Sequence, residues 1–182
     1  MEERRKIFAI SGSTRQNSTN SNLLKAIADL YKNKIELNIF ESLADLPQFN
    51  PDKTDDEIKA VDHFRKQIND ADGVIICTPE YAHGVPGALK NAVDWCVSTN
   101  EFSHKPTALI TASTDGRFGH EALLETLRTI EAANVNNLQL LIQFARTKIN
   151  IENIITDEIT LVAIKKLVND LVDTIEKTTD NK

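Results

Sequence analysis

The sequence predicts an α/β fold, and three observations carry that prediction. Five strand-sized apolar segments alternate strictly with five segments of helical apolar spacing, the pattern of a parallel sheet with helices on both faces. Residues 6–10, 73–78 and 107–112 are apolar almost throughout, as strands buried on both faces are. Loops rich in Gly, Pro, Ser and Thr follow those runs, where the carboxyl ends of parallel strands line a ligand crevice.

Taken in order, Lys6-Ile7-Phe8-Ala9-Ile10 opens the sheet as a central strand. Leu23, Ile27, Leu30 and Tyr31 share one stripe of the first helix. Ile35-Glu36-Leu37-Asn38-Ile39 alternates and reads as an edge strand. The long connection from Glu41 to Asp56 carries Pro47, Phe49 and Pro51, and reads either as a functional loop or as a surface excursion anchored by one aromatic. Ile58, Val61 and Ile68 mark the second helix. After the third strand, Pro86 stands where a first-turn proline starts a helix, whose buried face is Ala88, Leu89, Ala92, Val93 and Cys96. Leu123, Leu127 and Ile130 mark the fourth helix. Leu138-Gln139-Leu140-Leu141 is the fifth strand, bounded ahead by the polar Asn134-Val135-Asn136-Asn137. The last helix repeats Ile164, Leu167, Val168, Leu171, Val172 and Ile175, and Lys177 to Lys182 read as a frayed polar tail.

Length and composition bound the function. The 182 residues make one domain, 1–182, with a continuous core. Apolar content of 41% and charged content of 26% exclude disorder, and no apolar run approaches the roughly 20 residues of a membrane helix. A net charge of −6 without clustered Lys or Arg opposes nucleic-acid binding. Met1 to Lys6 lead into the first strand without a signal core, and Cys77 and Cys96 lack the spacing of a disulfide or metal motif. The expectation is a cytoplasmic protein with two reduced, buried thiols, and the four histidines suggest no metal site.

The loop from Gly12 to Asn20 offers hydroxyls at Ser13, Thr14, Ser18 and Thr19, a guanidinium at Arg15 and an amide at Asn20, then opens a helix. First-turn N–H groups have no intrahelical acceptor and the helix start carries about half a positive charge, so a phosphate monoester is well matched there. The same spacing suits a plain helix cap at Ser18, Thr19 or Asn20. Neither a Walker lysine loop nor a G-x-G-x-x-G run is present, so the expected phosphate is that of a mononucleotide. The second loop, Pro79 to Gly87, is shaped by two prolines and two glycines and suits a flat heterocycle read through main-chain groups, with Tyr81 or His83 at its edge. Read alone it is a proline-rich turn with Glu80 in solvent. A third loop, Thr111 to Gly119, reaches the same sheet edge with small residues.

Together, Gly12-Ser13-x-Arg15-x-x-Ser18-x-Asn20, Pro79-Glu80-Tyr81 and Pro86-Gly87-x-Leu89-Lys90-Asn91-Ala92-x-Asp94-Trp95 resemble the NADPH-dependent FMN reductase family, which includes azo, quinone and chromate reductases. Leu46-Pro47-x-Phe49-Asn50 is similar to a further loop of that family. The resemblance implies a flavodoxin-like three-layer fold with strand order 2-1-3-4-5. It places the FMN phosphate on Ser13, Arg15, Ser18 and Asn20, and the isoalloxazine against Pro79, Glu80, Tyr81, Ala82, His83 and Gly84. Ser113 and the backbone to Gly116 would close the other side. It further implies hydride transfer from NADPH or NADH through FMN to a small acceptor, no obligatory catalytic side chain, and a homodimer or homotetramer. Arg15 or Arg117 is a candidate for a preference for a 2′-phosphate. Two departures bear on substrate choice. Ala82 stands where many members have Asn, and Asp115-Gly116-Arg117-Phe118-Gly119 replaces a common Gly-Gly pair. A flavodoxin-type electron carrier that binds FMN without using NAD(P)H is the alternative reading.

Overall fold

The computed structural model describes residues 4–15, 17–54 and 58–180. Gln16, the end of the long connection at 55–57, and the last two residues of the expected tail lie outside them.

Five strands, β1 (Arg5–Ser11), β2 (Ile35–Phe40), β3 (Gly73–Thr78), β4 (Thr107–Ala112) and β5 (Gln139–Ile142), form one parallel sheet in the order β2-β1-β3-β4-β5. Side chains of successive strand residues point to opposite faces, so each central strand feeds two cores. Ile7, Ala9, Ile75, Cys77, Ala108 and Ile110 pack under α1 (Thr19–Tyr31) and α5 (Glu158–Asp180). Phe8, Ile10, Val74, Ile76 and Leu109 pack under α2 (Lys59–Asp70), α3 (Gly87–Asp94) and α4 (Arg117–Thr129). Every residue of β3 and β4 is buried, which is why those segments are apolar without alternation. β2 lies at one edge, as its alternation implies. The chain leaves β1 toward β2 on one side and reaches β3 on the other, so the order reverses between β1 and β3, where an open α/β sheet presents its crevice.

Several boundaries depart from the sequence reading. Leu30 is 46% exposed, because the buried stripe of α1 runs through Leu23, Leu24, Ile27 and Tyr31. Tyr31 is drawn inward by its hydroxyl, which donates to Lys165 O on α5 at 2.9 Å. On α2 the missing anchor is Phe64, fully buried and in ring contact with Phe8 and Phe40 at 5.8 and 5.0 Å. β5 begins one residue late because Leu138 still belongs to a turn, its N–H bonded to Asn134 O at 3.0 Å. Pro86 is the extended residue just before α3 rather than its first helical residue, with φ −53° and ψ 132°. The tail expected to fray from Lys177 is helical as far as Asp180.

The long connection is pinned to α3. Asn91 Nδ2 and Trp95 Nε1 both donate to Pro47 O, at 3.0 and 2.8 Å, and Phe49 N–H donates to Asn91 Oδ1 at 2.7 Å. Phe49 also meets the Trp95 ring edge to face at 5.0 Å. Two of the motif residues thus act as a latch for the connection after β2.

Candidate active site

A cleft of about 560 Å³ opens at the carboxyl edge of the sheet, walled by the loops after β1, β3, β4 and β5. The first wall is fixed by close packing. Gly12 N–H donates to Cys77 O at 2.8 Å, and a Cβ at Gly12 would lie 2.4 Å from Thr78 Oγ1, so only glycine lets the two chains approach here. Ser18 caps α1: its Oγ accepts from Ser21 N–H at 3.0 Å while its carbonyl takes the first helical bond from Asn22. Ser21 Oγ in turn bridges Ser18 Oγ and Ser11 Oγ, so the Ser18 hydroxyl is engaged within a buried chain. The N–H groups of Thr19 and Asn20 remain ahead of any intrahelical acceptor at the cleft.

The four residues expected at the phosphate end all line the cleft, with different commitments. Ser13 is buried, and its Oγ accepts weakly from Arg15 N–H at 3.4 Å. The Arg15 guanidinium is exposed and has no ion-pair partner among the described residues. The Asn20 amide is occupied: Nδ2 donates to Ala112 O at 3.3 Å, and Oδ1 accepts from the Cys77 thiol at 3.3 Å. It ties α1 to the ends of β3 and β4.

At the other end, Tyr81 and Gly84 exchange both backbone hydrogen bonds, at 3.1 and 2.9 Å. Ala82 and His83 between them have φ of 48° and 58°, the geometry of a type I′ turn. Pro79, Glu80 and Tyr81 line the cleft, whereas Ala82, His83 and Gly84 form the turn's tip outside that lining, with the His83 ring stacked on Phe118 at 4.6 Å. Glu80 is half-buried and its carboxylate is engaged. Its Oε2 accepts from Gly119 N–H at 2.6 Å, in the first turn of α4, and its own N–H donates to Ser113 Oγ at 3.2 Å. The carboxylate therefore caps α4 from a different loop and joins the second and third walls.

Ser113 lines the cleft, and Gly116 sits just behind it as the residue before α4, with φ 89°. Arg117 is held by Asp115 through two bonds, at 2.9 and 3.1 Å, and Gln143 Nε2 reaches the same carboxylate at 2.8 Å. The hydrogen bonds from Arg117 hold the Asp115 carboxyl below the usual carboxylate range. With its guanidinium paired, Arg117 is placed differently from the unpaired Arg15.

Sequence reasoning missed the fourth wall. Ala145, Arg146, Ile149, Asn150 and Ile151, between β5 and α5, line the cleft opposite α1, and Asn22 Nδ2 donates to Asn150 O at 3.1 Å across the gap. The signal was positional: this loop also follows a parallel strand's carboxyl end. Cys77 and Cys96 are free and buried, and burial pushes both thiols far up, so neither supplies a thiolate.

Residues 5–147 match the model of the NADPH-dependent FMN reductases. The chain belongs to that family. It is 36% identical over 119 residues to an NADPH azoreductase of Bacillus sp. strain OY1-2, covering 65% of this chain and just under two thirds, 64%, of that protein. Against an NAD(P)H-dependent FMN reductase of Pseudomonas aeruginosa it is 32% identical over 160 residues, covering 84% and 85% of the two chains. In three dimensions it is similar to FerB, a flavoenzyme NAD(P)H:(acceptor) oxidoreductase from Paracoccus denitrificans, with a TM-score of 0.78, 26% identity, and 95% and 98% of the chains covered. The family is described by NADPH-dependent reduction of FMN, so FMN is the group against which the donor set of this cleft is tested.

The donor set in this chain fits that cofactor. A helix start with two outward N–H groups, the Ser13 hydroxyl and an unpaired guanidinium suits a phosphate monoester. The main chain around Pro79 to Tyr81 and Ser113 can bracket a planar ring.

Proposed function

We propose that this protein transfers hydride from NAD(P)H through FMN to a small acceptor such as a quinone, an azo compound, a free flavin or a metal oxyanion. The observation that carries the reading is the cleft's two-ended character, with Arg15 and a helix start at one end and a hydrogen-bonded type I′ turn at the other. The azoreductase relative supports an azo acceptor, and FerB, a flavoenzyme NAD(P)H:(acceptor) oxidoreductase, supports the class of reaction.

Bound FMN supplies the hydride acceptance and donation, and the chain supplies binding and orientation. Ser13, Arg15 and the Thr19 and Asn20 N–H groups hold the phosphate. The Ser18 and Asn20 side chains keep that helix start in place by capping α1 and tying it to β3 and β4. Pro79, Glu80, Tyr81 and Ser113 line the ring. The turn at Ala82, His83 and Gly84 and the α4 start at Gly116 brace that wall from behind. In this reading no acid or base is required of the chain, and the Glu80 carboxylate and the Cys77 thiol serve structure, the first bonded to Gly119 and the second to Asn20. Orientation and an open ring face are the protein's contribution to rate.

A second copy of the chain covers the ring side in this reading, as homodimer or homotetramer. Support comes from the exposed aromatics at that rim, Tyr81 at 49% and Phe118 at 50%. The two free, buried thiols suit a cytoplasmic setting. Among the described residues no helix is long and apolar enough to cross a membrane.

The test is direct. Purified protein carries flavin absorption that NADPH bleaches, and with a quinone it oxidises NADPH faster than free FMN does. Flavin uptake without faster NADPH oxidation would assign the chain to the electron carriers instead.

A further inference from the structure

We propose that Arg146 is a second phosphate-binding cation, so that the FMN phosphate is clamped between the β1–α1 loop and the β5–α5 loop. This rests on the FMN reading above and adds a residue that neither the motifs nor the first wall includes.

The argument begins with charge. The chain carries −6 overall, yet the charged residues lining the cleft are Arg15, Arg146 and Glu80. Glu80 is engaged in its bond with Gly119, and neither guanidinium has an ion-pair partner among the described residues. The cleft is thus locally cationic. A phosphate monoester carries about −1.5 to −2 at neutral pH. One guanidinium with the roughly half charge of a helix start leaves part of that unmatched, and a second guanidinium completes it.

Placement supports the pairing. Arg146 rides on a single 3-10 turn, Ala145–Thr147, that is fastened on both sides. Before it, Phe144 N–H and Ala145 N–H donate to Thr114 O and Ser113 O, at 3.1 and 3.0 Å, in the ring-side wall. After it, Ile149 N–H returns to Ala145 O at 3.1 Å and Asn150 O takes the bond from Asn22, in the first turn of α1. The turn holds even though Phe144 has φ 52°, a left-handed conformation unfavourable for a bulky residue. Arg146 thereby lines the same cleft as the start of α1 but from a different loop than Ser13 and Arg15, and a tetrahedral anion has oxygens enough for both walls.

The experiment compares FMN with riboflavin, which lacks the phosphate, in fluorescence titrations of the chain. Arg146→Gln is expected to weaken FMN binding about 10- to 100-fold, the range of a charge-assisted hydrogen bond, and to leave riboflavin binding unchanged. Arg146→Lys is expected to recover part of the FMN loss and none of the geometry-dependent remainder. The slope of FMN affinity against salt is expected to flatten in Arg146→Gln. Unchanged FMN affinity, or an equal loss for both flavins, overturns the assignment. So does a raised KM for NADPH but not NADH with FMN binding intact, which would hand Arg146 to the coenzyme. A wild-type chain that takes up neither flavin refutes the FMN reading and this inference with it.

Discussion

Replacing Glu80 by alanine removes the acceptor of the 2.6 Å bond from Gly119 N–H and leaves that first-turn donor of α4 without a partner. A hydrogen bond to a charged group contributes about 1.5–3 kcal/mol, and loss of a helix-capping side chain costs about 0.5–2 kcal/mol. Because Glu80 is half-buried, part of the donor is recovered by water, and about 1–2 kcal/mol is the expected loss. For a chain of this size that lowers the Tm by about 2–8 °C. The bond also joins two cleft walls, so flavin binding suffers beyond the loss of stability: the competent arrangement becomes one of several, and the apparent Kd rises by the inverse of its population. Glu80→Gln keeps an acceptor at the same reach and is expected to restore most of both properties. The assays are thermal unfolding with and without saturating FMN, and FMN titration by fluorescence. An alanine variant that unfolds and binds FMN like the parent, or a glutamine variant as damaged as alanine, would refute the capping role.

Other outcomes follow from the same geometry. Ala82→Gly, at φ 48°, relieves a left-handed alanine and is expected to raise stability by about 0.5–1 kcal/mol, read as a higher Tm with FMN affinity unchanged. Gly12→Ala drives a methyl to 2.4 Å from Thr78 Oγ1 and 2.7 Å from Thr78 Cβ; a loss of about 1–3 kcal/mol in denaturant unfolding is expected, and Thr78→Ala should not rescue it because the Cβ contact remains. Asp115 has its carboxyl held low by Arg117, so the unfolded chain takes up its proton first as pH falls. Its contribution is complete at neutral pH, declines from the ordinary carboxylate range downward and is gone below the depressed folded value. Carboxyl titration by NMR, with Asp115→Asn as the control, reads that order directly.

The sheet was legible because burial on both faces leaves a plain record: Gly73–Thr78 and Thr107–Ala112 can be read from hydrophobicity alone, and their bounds coincide with β3 and β4. Edges and helix stripes are read less well, since one residue's shift changes little in composition. Leu30 and Leu138 show it, the first apolar but outside the stripe, the second apolar but in a turn. Phe64 was skipped although it falls three residues after Val61 and four before Ile68, on the face those two define. In the site, the motif positions were legible and their hydrogen-bond partners were not. Glu80 meets Gly119, 39 residues away, and Asn20 meets Ala112, 92 residues away, contacts that only the folded sheet creates. The β5–α5 wall went unread because its residues carry no Gly or Pro signature and their strand had the weakest boundary.

Asn20 shows how a residue lining a cleft can be fixed by its neighbours. Its side chain must give a hydrogen to Ala112 O and take one from Cys77 at the same time. Aspartate would set oxygen against oxygen, leucine of similar size would strand a carbonyl, and serine would fall short of one partner or the other. Selection on this position would therefore persist even if every bond to the ligand were made by main-chain groups, and an unvarying asparagine here would report on how three elements are joined.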